Sequence, residues 1–169
     1  MSDAAAATGP AGERAGTSRP SLLVTAPLAG TAIGLESVPD PVFSGLMVGP
    51  GAAVDPDRAP ATAVSPVAGT LVKLKPHAFV VAGADGRAVL VHLGIDTVTL
   101  DPDGFVLLAH EGDMVSAGTP VVAWDPVAVE ASGRSPVCPV VALDAAPGAV
   151  SRFAADGIVP VGAELFGWR

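Results

Sequence analysis

Apolar residues in this chain occur in short runs that turn signals separate. From residue 21 onward the runs are rich in valine, leucine and threonine and end at glycine, proline or aspartate, a pattern typical of strands. One segment, 125–131, predicts a short helix, because Asp125 can cap it and Pro126 fits its first turn. We therefore predict an all-β fold, a compact antiparallel sandwich or barrel-like domain with one or two short helices. The predicted extended segments are 22–28, 31–38, 61–64, 70–74, 78–82, 88–93, 97–100, 105–108, 121–124, 139–143, 158–161 and 164–168.

The stretch 76–105 holds two of the three histidines, His77 and His92, on the two arms of a predicted β-hairpin. The turn signal GADG at 83–86 leaves three registers open. A four-residue loop makes the imidazoles direct cross-strand neighbours, with Cβ atoms about 5 Å apart. A two-residue loop places them diagonally on one face, about 7–8 Å apart. A three-residue loop puts them on opposite faces of the hairpin.

Two interpretations of these histidines stay open at this point. Both could be ordinary core or surface residues. His92, however, lies in an otherwise apolar run that ends at Leu93, directly before Gly94. A polar ring in such a run costs free energy unless it has a partner, and a small neighbour lets another chain approach closely. These features favour a histidine with a function.

Composition narrows the function classes. Half of the 169 residues are apolar, which suits one domain with a sizeable core, and we expect it at 21–169 after a disordered tail at 1–20. The net charge is −8, and the only lysines are Lys73 and Lys75, which argues against nucleic acid as a partner. A single cysteine, Cys138, excludes a disulfide framework. With no apolar stretch long enough for a membrane span and no signal-peptide pattern, we expect a cytoplasmic protein without membrane insertion.

The sequence also repeats itself faintly. Segments 26–31 and 65–70 share the pattern Pro-x-Ala-Gly-Thr ahead of a predicted strand. Segments 112–118 and 157–162 share a similar spacing of glycines before a closing strand. A duplicated β motif would explain both pairs.

Several short motifs, in their order and spacing, resemble the glucose-type enzyme IIA of the bacterial phosphoenolpyruvate-dependent sugar phosphotransferase system. The most specific is VHLGIDTV with a second histidine fifteen positions before its own. The resemblance covers nearly everything after residue 20. The motifs are APLAG at 26–30, DPVF at 40–43, VGPG at 48–51, SPVAGT at 65–70, PHAF at 76–79 and VHLGIDTV at 91–98.

This resemblance implies a fold, a chemistry and a set of partners. Proteins of this family fold as antiparallel β-sandwiches of the duplicated hybrid motif type and carry a phosphoryl group on one histidine. By position in the motifs, His92 is the expected phosphoryl acceptor and His77 the supporting histidine. The expected donor is the phosphocarrier protein HPr, and the expected recipient is a cysteine on the IIB domain of a glucose- or N-acetylglucosamine-type permease. We expect no cofactor and no metal.

The resemblance also implies a docking surface. Asp40 and Asp96 match acidic residues at the rim of the family's site, although Asp96 could equally be a turn residue. The apolar residues at the docking positions, of which the two phenylalanines could instead belong to the core, are Phe43, Val48, Phe79 and Val98.

The chain departs from the family pattern at one position. Where the family usually has a threonine two residues before the supporting histidine, this chain has Lys75, and whether Thr70 or another hydroxyl takes over is open. The remaining candidates suggest no function: His110 matches no family histidine and is expected in a solvated loop, and Cys138 is expected to be an inert buried thiol.

Other function classes fit less well. A zinc peptidase of related architecture needs a His-x-His pair, which this chain lacks. A biotinyl or lipoyl carrier needs a lysine at a hairpin tip, where this chain has GADG. A regulatory module that binds other cytoplasmic proteins through the same face is the remaining rival, since carrier and regulator would use the same residues.

Overall fold

The computed structural model of the chain describes residues 19–152 and 157–169, so most of the predicted tail at 1–20 lies outside the described residues. The described part forms fourteen strands and two short α-helices. The strands are β1 Leu22–Thr25, β2 Gly30–Ile33, β3 Gly51–Pro56, β4 Ala61–Val64, β5 Gly69–Lys75, β6 Ala78–Ala82, β7 Ala88–His92, β8 Phe105–Leu107, β9 Met114–Val115, β10 Pro120–Trp124, β11 Cys138–Ala142, β12 Val150–Arg152, β13 Gly157–Val159 and β14 Glu164–Trp168. The helices are α1 Pro41–Ser44 and α2 Pro126–Ala131.

Within residues 19–152 and 157–169 the strands form three sheets. The largest has eight strands in the order β13-β2-β3-β11-β7-β6-β5-β9, and the other two are β1-β14-β12 and β4-β10-β8. Neighbouring strands pair antiparallel throughout. The predicted all-β antiparallel class is therefore confirmed.

The sequence repeat corresponds to a structural repeat. Residues 26–29 link β1 to β2, and residues 65–68 link β4 to β5. The two linkers exchange hydrogen bonds, because Thr25 N–H donates to the Pro66 carbonyl and Val64 N–H donates to the Pro27 carbonyl, both over 3.0 Å. Each of the two linked pairs of strands also pairs antiparallel with two later strands. In the first pair, β1 pairs with β14 and β2 with β13, and in the second, β4 pairs with β10 and β5 with β9. The fold is built on a duplicated motif.

The main core draws large side chains from all three sheets, among them Phe79, Trp124 and Phe166. Burying each such side chain stabilises the fold by roughly 1.5–3 kcal/mol relative to leaving it exposed. A second, smaller buried cluster joins Phe43 of α1 to Ile95, which follows β7. This second cluster fixes α1 beside the end of β7.

Local structure differs from the prediction at several places. Residues 97–100, predicted as extended, contain a 3-10 turn at Thr97–Thr99. The strand predicted for 22–28 ends at Thr25. Strand β3 lies inside the largest sheet, but its sequence GAAVDP has a single β-branched residue to indicate a strand. Helix α1 begins at Asp40-Pro41, the same signal that predicts α2, yet it lasts only four residues.

Candidate functional site

His92 is the last residue of β7, inside the largest sheet between β6 and β11, and its ring is half-buried. The Nδ1 atom lies 2.6 Å from the carbonyl oxygen of Gly94. Because a carbonyl can only accept a hydrogen bond, Nδ1 carries the proton and Nε2 keeps its lone pair. The local backbone thus selects the tautomer in which Nε2 is unprotonated.

The segment after β7 is held in one conformation. Gly94 has a φ of +77°, and a Cβ there would lie 2.7 Å from Thr97 Cγ2 and 3.0 Å from the Ser135 carbonyl oxygen. Ile95 N–H donates to the same Ser135 carbonyl over 2.8 Å, and the Thr97 hydroxyl donates to the Leu93 carbonyl over 2.8 Å. Glycine is required at position 94 both by its φ and by the lack of space. The carbonyl that orients the imidazole is therefore fixed by packing.

The two imidazoles are in contact, but the hairpin has neither of the two registers that were predicted to place them on the same face. Ala78 is directly opposite His92, which is the register of a three-residue loop and predicts opposite faces for the two histidines. His77, however, is not in a strand, because Pro76 and His77 form the turn between β5 and β6. The ring centroids lie 5.2 Å apart with an angle of 67° between the planes. The alternation argument fails here because a turn residue does not follow the pleat of a strand.

Both imidazoles are favoured in the neutral form. Burial lowers the pKa of His92, and the carbonyl hydrogen bond and two nearby carboxylates offset this only in part. Burial also lowers the pKa of His77, and the neighbouring His92 and Lys75 act in the same direction. Neutral imidazole is the form that can act as a nucleophile, and both pKa shifts favour it.

The two predicted acidic residues both lie within electrostatic reach of His92. The charges of Asp40 and Asp96 each raise the pKa of His92, against the larger effect of burial. Asp40 caps α1, because its Oδ1 accepts a hydrogen bond from Val42 N–H over 2.8 Å. Asp96 has a left-handed backbone, with φ 59° and ψ 21°, so it is also a turn residue as the sequence allowed. Its side chain is exposed.

Phe43 of α1 packs on His92, and the two ring centroids lie 5.4 Å apart. Phe43 itself is buried, and Val98 is 65% exposed. Val42, Leu46 and Met47 are also exposed, at 39%, 39% and 72%, and we did not expect a role for them. The sequence does contain an indication of this exposure. Apolar residues lie directly before and directly after Ser44-Gly45, and a single helical turn cannot bury all of them. The apolar rim, as we call it, consists of Val42, Leu46, Met47, Val48 and Val98.

Phe79, a predicted docking residue, belongs to the core. It is 0% exposed and pairs with Leu74 on one side and Val91 on the other, both also buried. In a strand, alternate residues point to opposite faces, and Phe79 is one residue away from Ala78, which lies opposite His92. Phe79 therefore supports the site from beneath and offers no surface to a partner.

The remaining candidates lie apart from the two histidines. Thr70 is at the far end of β5, opposite Ala82, and its hydroxyl donates to Met114 Sδ over 3.3 Å, so it supplies no hydroxyl near His77. The His110 side chain is 91% exposed. Burial raises the pKa of Cys138 to about 12, which leaves its thiol protonated and unreactive.

The described residues contain neither a cluster of metal ligands nor a membrane-spanning helix. In residues 19–152 and 157–169, no three histidine, cysteine, aspartate or glutamate side chains lie close enough together to hold a metal ion. In the same part of the chain, no helix combines the length and the apolar composition needed to cross a membrane.

Comparisons with known proteins identify relatives. Residues 22–147 match the family model described as phosphoenolpyruvate-dependent sugar phosphotransferase system, EIIA 1. The chain is similar to the N-acetylglucosamine-specific EIICBA component of Escherichia coli, with 42% identity over 120 residues that span 70% of this chain but only 18% of that protein. It is also similar to the glucose-specific EIIA component of Bacillus cereus, with 37% identity over 120 residues, 70% of this chain and 72% of that one. The solved structure of glucose permease IIA from Mycoplasma capricolum matches 88% of this chain and 96% of its own, with a TM-score of 0.79 and 32% identity.

Proposed function

Because this chain belongs to the EIIA 1 family of the phosphoenolpyruvate-dependent sugar phosphotransferase system, we propose that it carries a phosphoryl group on His92 between two proteins. The donor is phospho-HPr, and the recipient is a cysteine of a IIB domain of the glucose or N-acetylglucosamine type. The exchange takes place in the cytoplasm, within a domain formed by residues 21–169. The observation that carries the proposal is the hydrogen bond from His92 Nδ1 to the Gly94 carbonyl, which leaves Nε2 free to attack.

The transfer needs positioning and charge stabilisation more than covalent help from the protein. His92 Nε2 forms a bond to phosphorus while the phosphorus–nitrogen bond of the donor breaks, and the electron pair of that bond stays on the donor imidazole. The acceptor ring keeps its Nδ1 proton and gains positive charge as the bond forms. The Gly94 carbonyl and the carboxylates of Asp40 and Asp96 stabilise that charge.

His77 supports the phosphoryl group. A neutral imidazole with its ring 5.2 Å from that of His92 can donate a hydrogen bond to a phosphoryl oxygen on Nε2. The apolar rim excludes water around the labile phosphohistidine once a partner has docked on it. Without a partner, such exposed apolar residues would favour aggregation.

Intact-mass spectrometry tests the proposal. The protein is mixed with phosphoenolpyruvate, enzyme I and HPr, and the same mixture is made with His92→Gln and with His110→Gln. We expect one acid-labile phosphoryl group on the wild type and on His110→Gln, and none on His92→Gln. His110→Gln is the matched control because it removes a histidine whose side chain is 91% exposed.

No phosphorylation of the wild type would contradict the carrier function. The chain would then be a binding module that kept the face of the family without its chemistry, which is the regulatory alternative. Equal phosphorylation of His92→Gln would contradict the assignment of the residue.

A further inference from the structure

Lys75 lies in the same cross-strand row as the nucleophilic histidine. Lys75 is directly opposite Ala78 on β6, and Ala78 is directly opposite His92 on β7. Side chains that are paired in this way point to the same face of an antiparallel sheet. The adjacent row is buried in the core, so the row with Lys75 faces outward. The buried row consists of Leu74, Phe79 and Val91.

Lys75 and His92 lie on two strands separated by one strand, β6. The residue between them, Ala78, carries only a methyl group. Strands in a sheet lie about 4.8 Å apart, so the two Cα atoms are separated by about 10 Å, and the flexible four-carbon stem of lysine spans much of that gap. A cleft of about 230 Å³ opens beside this row, and Lys75, His77 and Val98 are among the residues that line it.

The ammonium group of Lys75 is available for a ligand. Lys75 is exposed, and its side chain makes no hydrogen bond or ion pair within residues 19–152 and 157–169. Its charge contributes to the lowered pKa of His77, after burial and the effect of His92, which agrees with its position at the site. A free cation beside a nucleophilic histidine is a site for a negatively charged group.

The need for a cation follows from the charges around His92. The chain carries a net charge of −8, and Asp40 and Asp96 act on the histidine at close range. A phosphoryl group on Nε2 adds a charge of about −1.5 to −2. Without a cation, the two carboxylates would repel the group that the site must hold.

We propose that the Lys75 ammonium binds the oxygens of the phosphoryl group on His92 and stabilises it during transfer. This inference rests on the proposed carrier function and adds a residue to it. Lys75 forms and breaks no covalent bond, so the bonds formed and broken are those of the transfer already described. The ammonium offsets the charge that collects on the phosphoryl oxygens in the transition state.

A pair of lysine variants tests the proposal. Lys75→Gln removes the charge at the site, and Lys73→Gln removes an equal charge from the same strand. Lys73 is exposed and faces the same side, but it is opposite Val80, two rows farther from the histidines. The transfer rate from phospho-HPr is measured by rapid quench at fixed ionic strength, and the phosphorylated proteins are titrated by phosphorus NMR.

We expect Lys75→Gln to slow the transfer by about 10-fold or more, which is the order of magnitude for a lost hydrogen bond to a charged group. Its phosphoryl group should titrate at higher pH than in the wild type, because a nearby cation favours the dianion. Lys73→Gln should stay within about twofold of the wild type and titrate normally, since an exposed charge at that distance is largely screened. Lys75→Arg should recover most of the rate.

Equal slowing in the two glutamine variants would overturn the proposal, because it would reveal only a general effect of charge on encounter. Unchanged titration of the phosphoryl group in Lys75→Gln would overturn it as well. In both cases the wild type still takes up phosphate, so the proposed function stands. A wild type that takes up none overturns the proposed function and this inference together.

Discussion

The β6–β7 hairpin has a cation near each end, and the two cations differ in their surroundings. At the closed end, Arg87 is 6% exposed and its guanidinium donates to Asp85, to the Trp168 carbonyl and to the Pro20 carbonyl over 2.7, 2.7 and 2.9 Å. At the open end, Lys75 is exposed and has no hydrogen-bond or ion-pair partner among the described residues.

The Arg87 charge therefore serves the structure, whereas the Lys75 charge is available to bind a ligand. Arg87 connects the hairpin loop by hydrogen bonds to Pro20 and to Trp168, which lie near the two ends of the described residues. Its guanidinium also lies 5.8 Å from the centroid of the Trp168 ring. A buried charge is tolerated only when such partners satisfy it. At the open end, His92 Nε2 and the Lys75 ammonium have no hydrogen-bond partner among the described residues. Changes at the closed end should therefore alter stability, and changes at the open end should alter transfer.

The largest effect is expected from the supporting histidine. His77→Gln should still accept the phosphoryl group but should pass it to the IIB cysteine about 100-fold more slowly, the order of magnitude for removing one preorganised donor. Single-turnover transfer from the phosphorylated protein to a purified IIB domain measures this. The unfolding free energy should stay near that of the wild type. A large loss of stability with normal transfer would show that His77 is structural.

Arg87→Met should show the opposite behaviour at the closed end. The free energy of unfolding should fall by about 2 kcal/mol, because the buried Trp168 carbonyl and the part-buried Pro20 carbonyl lose their donor. The folded fraction should be phosphorylated at the normal rate. Urea unfolding measures the change, with Arg58→Met as the control, since Arg58 makes its ion pairs with Asp55 and Glu130 on the surface. Equal losses of unfolding free energy in the two variants would show that Arg87 stabilises the fold no more than a surface arginine does.

Two glycines allow the same comparison at the backbone. Gly94 and Gly86 both have positive φ, +77° and +86°, but a Cβ at Gly94 would clash with Thr97 whereas nothing lies within 4 Å of one at Gly86. Both alanine variants should lose about 1 kcal/mol through φ. Gly94→Ala should lose more and also transfer more slowly, because the carbonyl that holds His92 Nδ1 must shift. Normal transfer in Gly94→Ala would contradict the orienting role of that carbonyl.

The smallest effect is a dependence of stability on pH. The pKa values of His77 and His92 lie below the ordinary 6.5 in the folded protein. The unfolded chain therefore binds more protons as pH falls through 6.5, so the unfolding free energy should be highest above this value and should decrease below it. Urea midpoints between pH 5 and pH 8 measure the slope. The double variant His77→Gln/His92→Gln should lose this slope, and His110→Gln should keep it.

The sequence allowed the fold class and the two histidines to be predicted, but not the geometry that joins them. The alternation of side chains between the two faces is reliable inside a strand. It would have placed Phe79 in the core if the register between β6 and β7 had been known. The same rule failed for His77, because a turn residue is positioned by the backbone of the turn. The partner of His92 Nδ1 could not be predicted either, since a backbone carbonyl two residues away leaves no mark in the residue types.

Helix α1 was missed for a related reason. Asp40-Pro41 is the same start signal as Asp125-Pro126, but the valine and phenylalanine that follow are typical of strands, and Gly45 ends the helix after one turn. The most exposed part of the apolar rim, around Met47, lies just beyond this helix. Short helices that tertiary contacts stabilise are weakly encoded in local sequence.

The most direct test of the account is to identify which nitrogen carries the phosphoryl group. The protein is labelled with nitrogen-15 in its histidines, phosphorylated by phospho-HPr, and examined by long-range proton–nitrogen NMR of the imidazole rings. The account predicts a phosphorus-coupled Nε2 on His92, with a protonated Nδ1 still bonded to the Gly94 carbonyl. A phosphoryl group on His92 Nδ1, or on either nitrogen of His77, would contradict it.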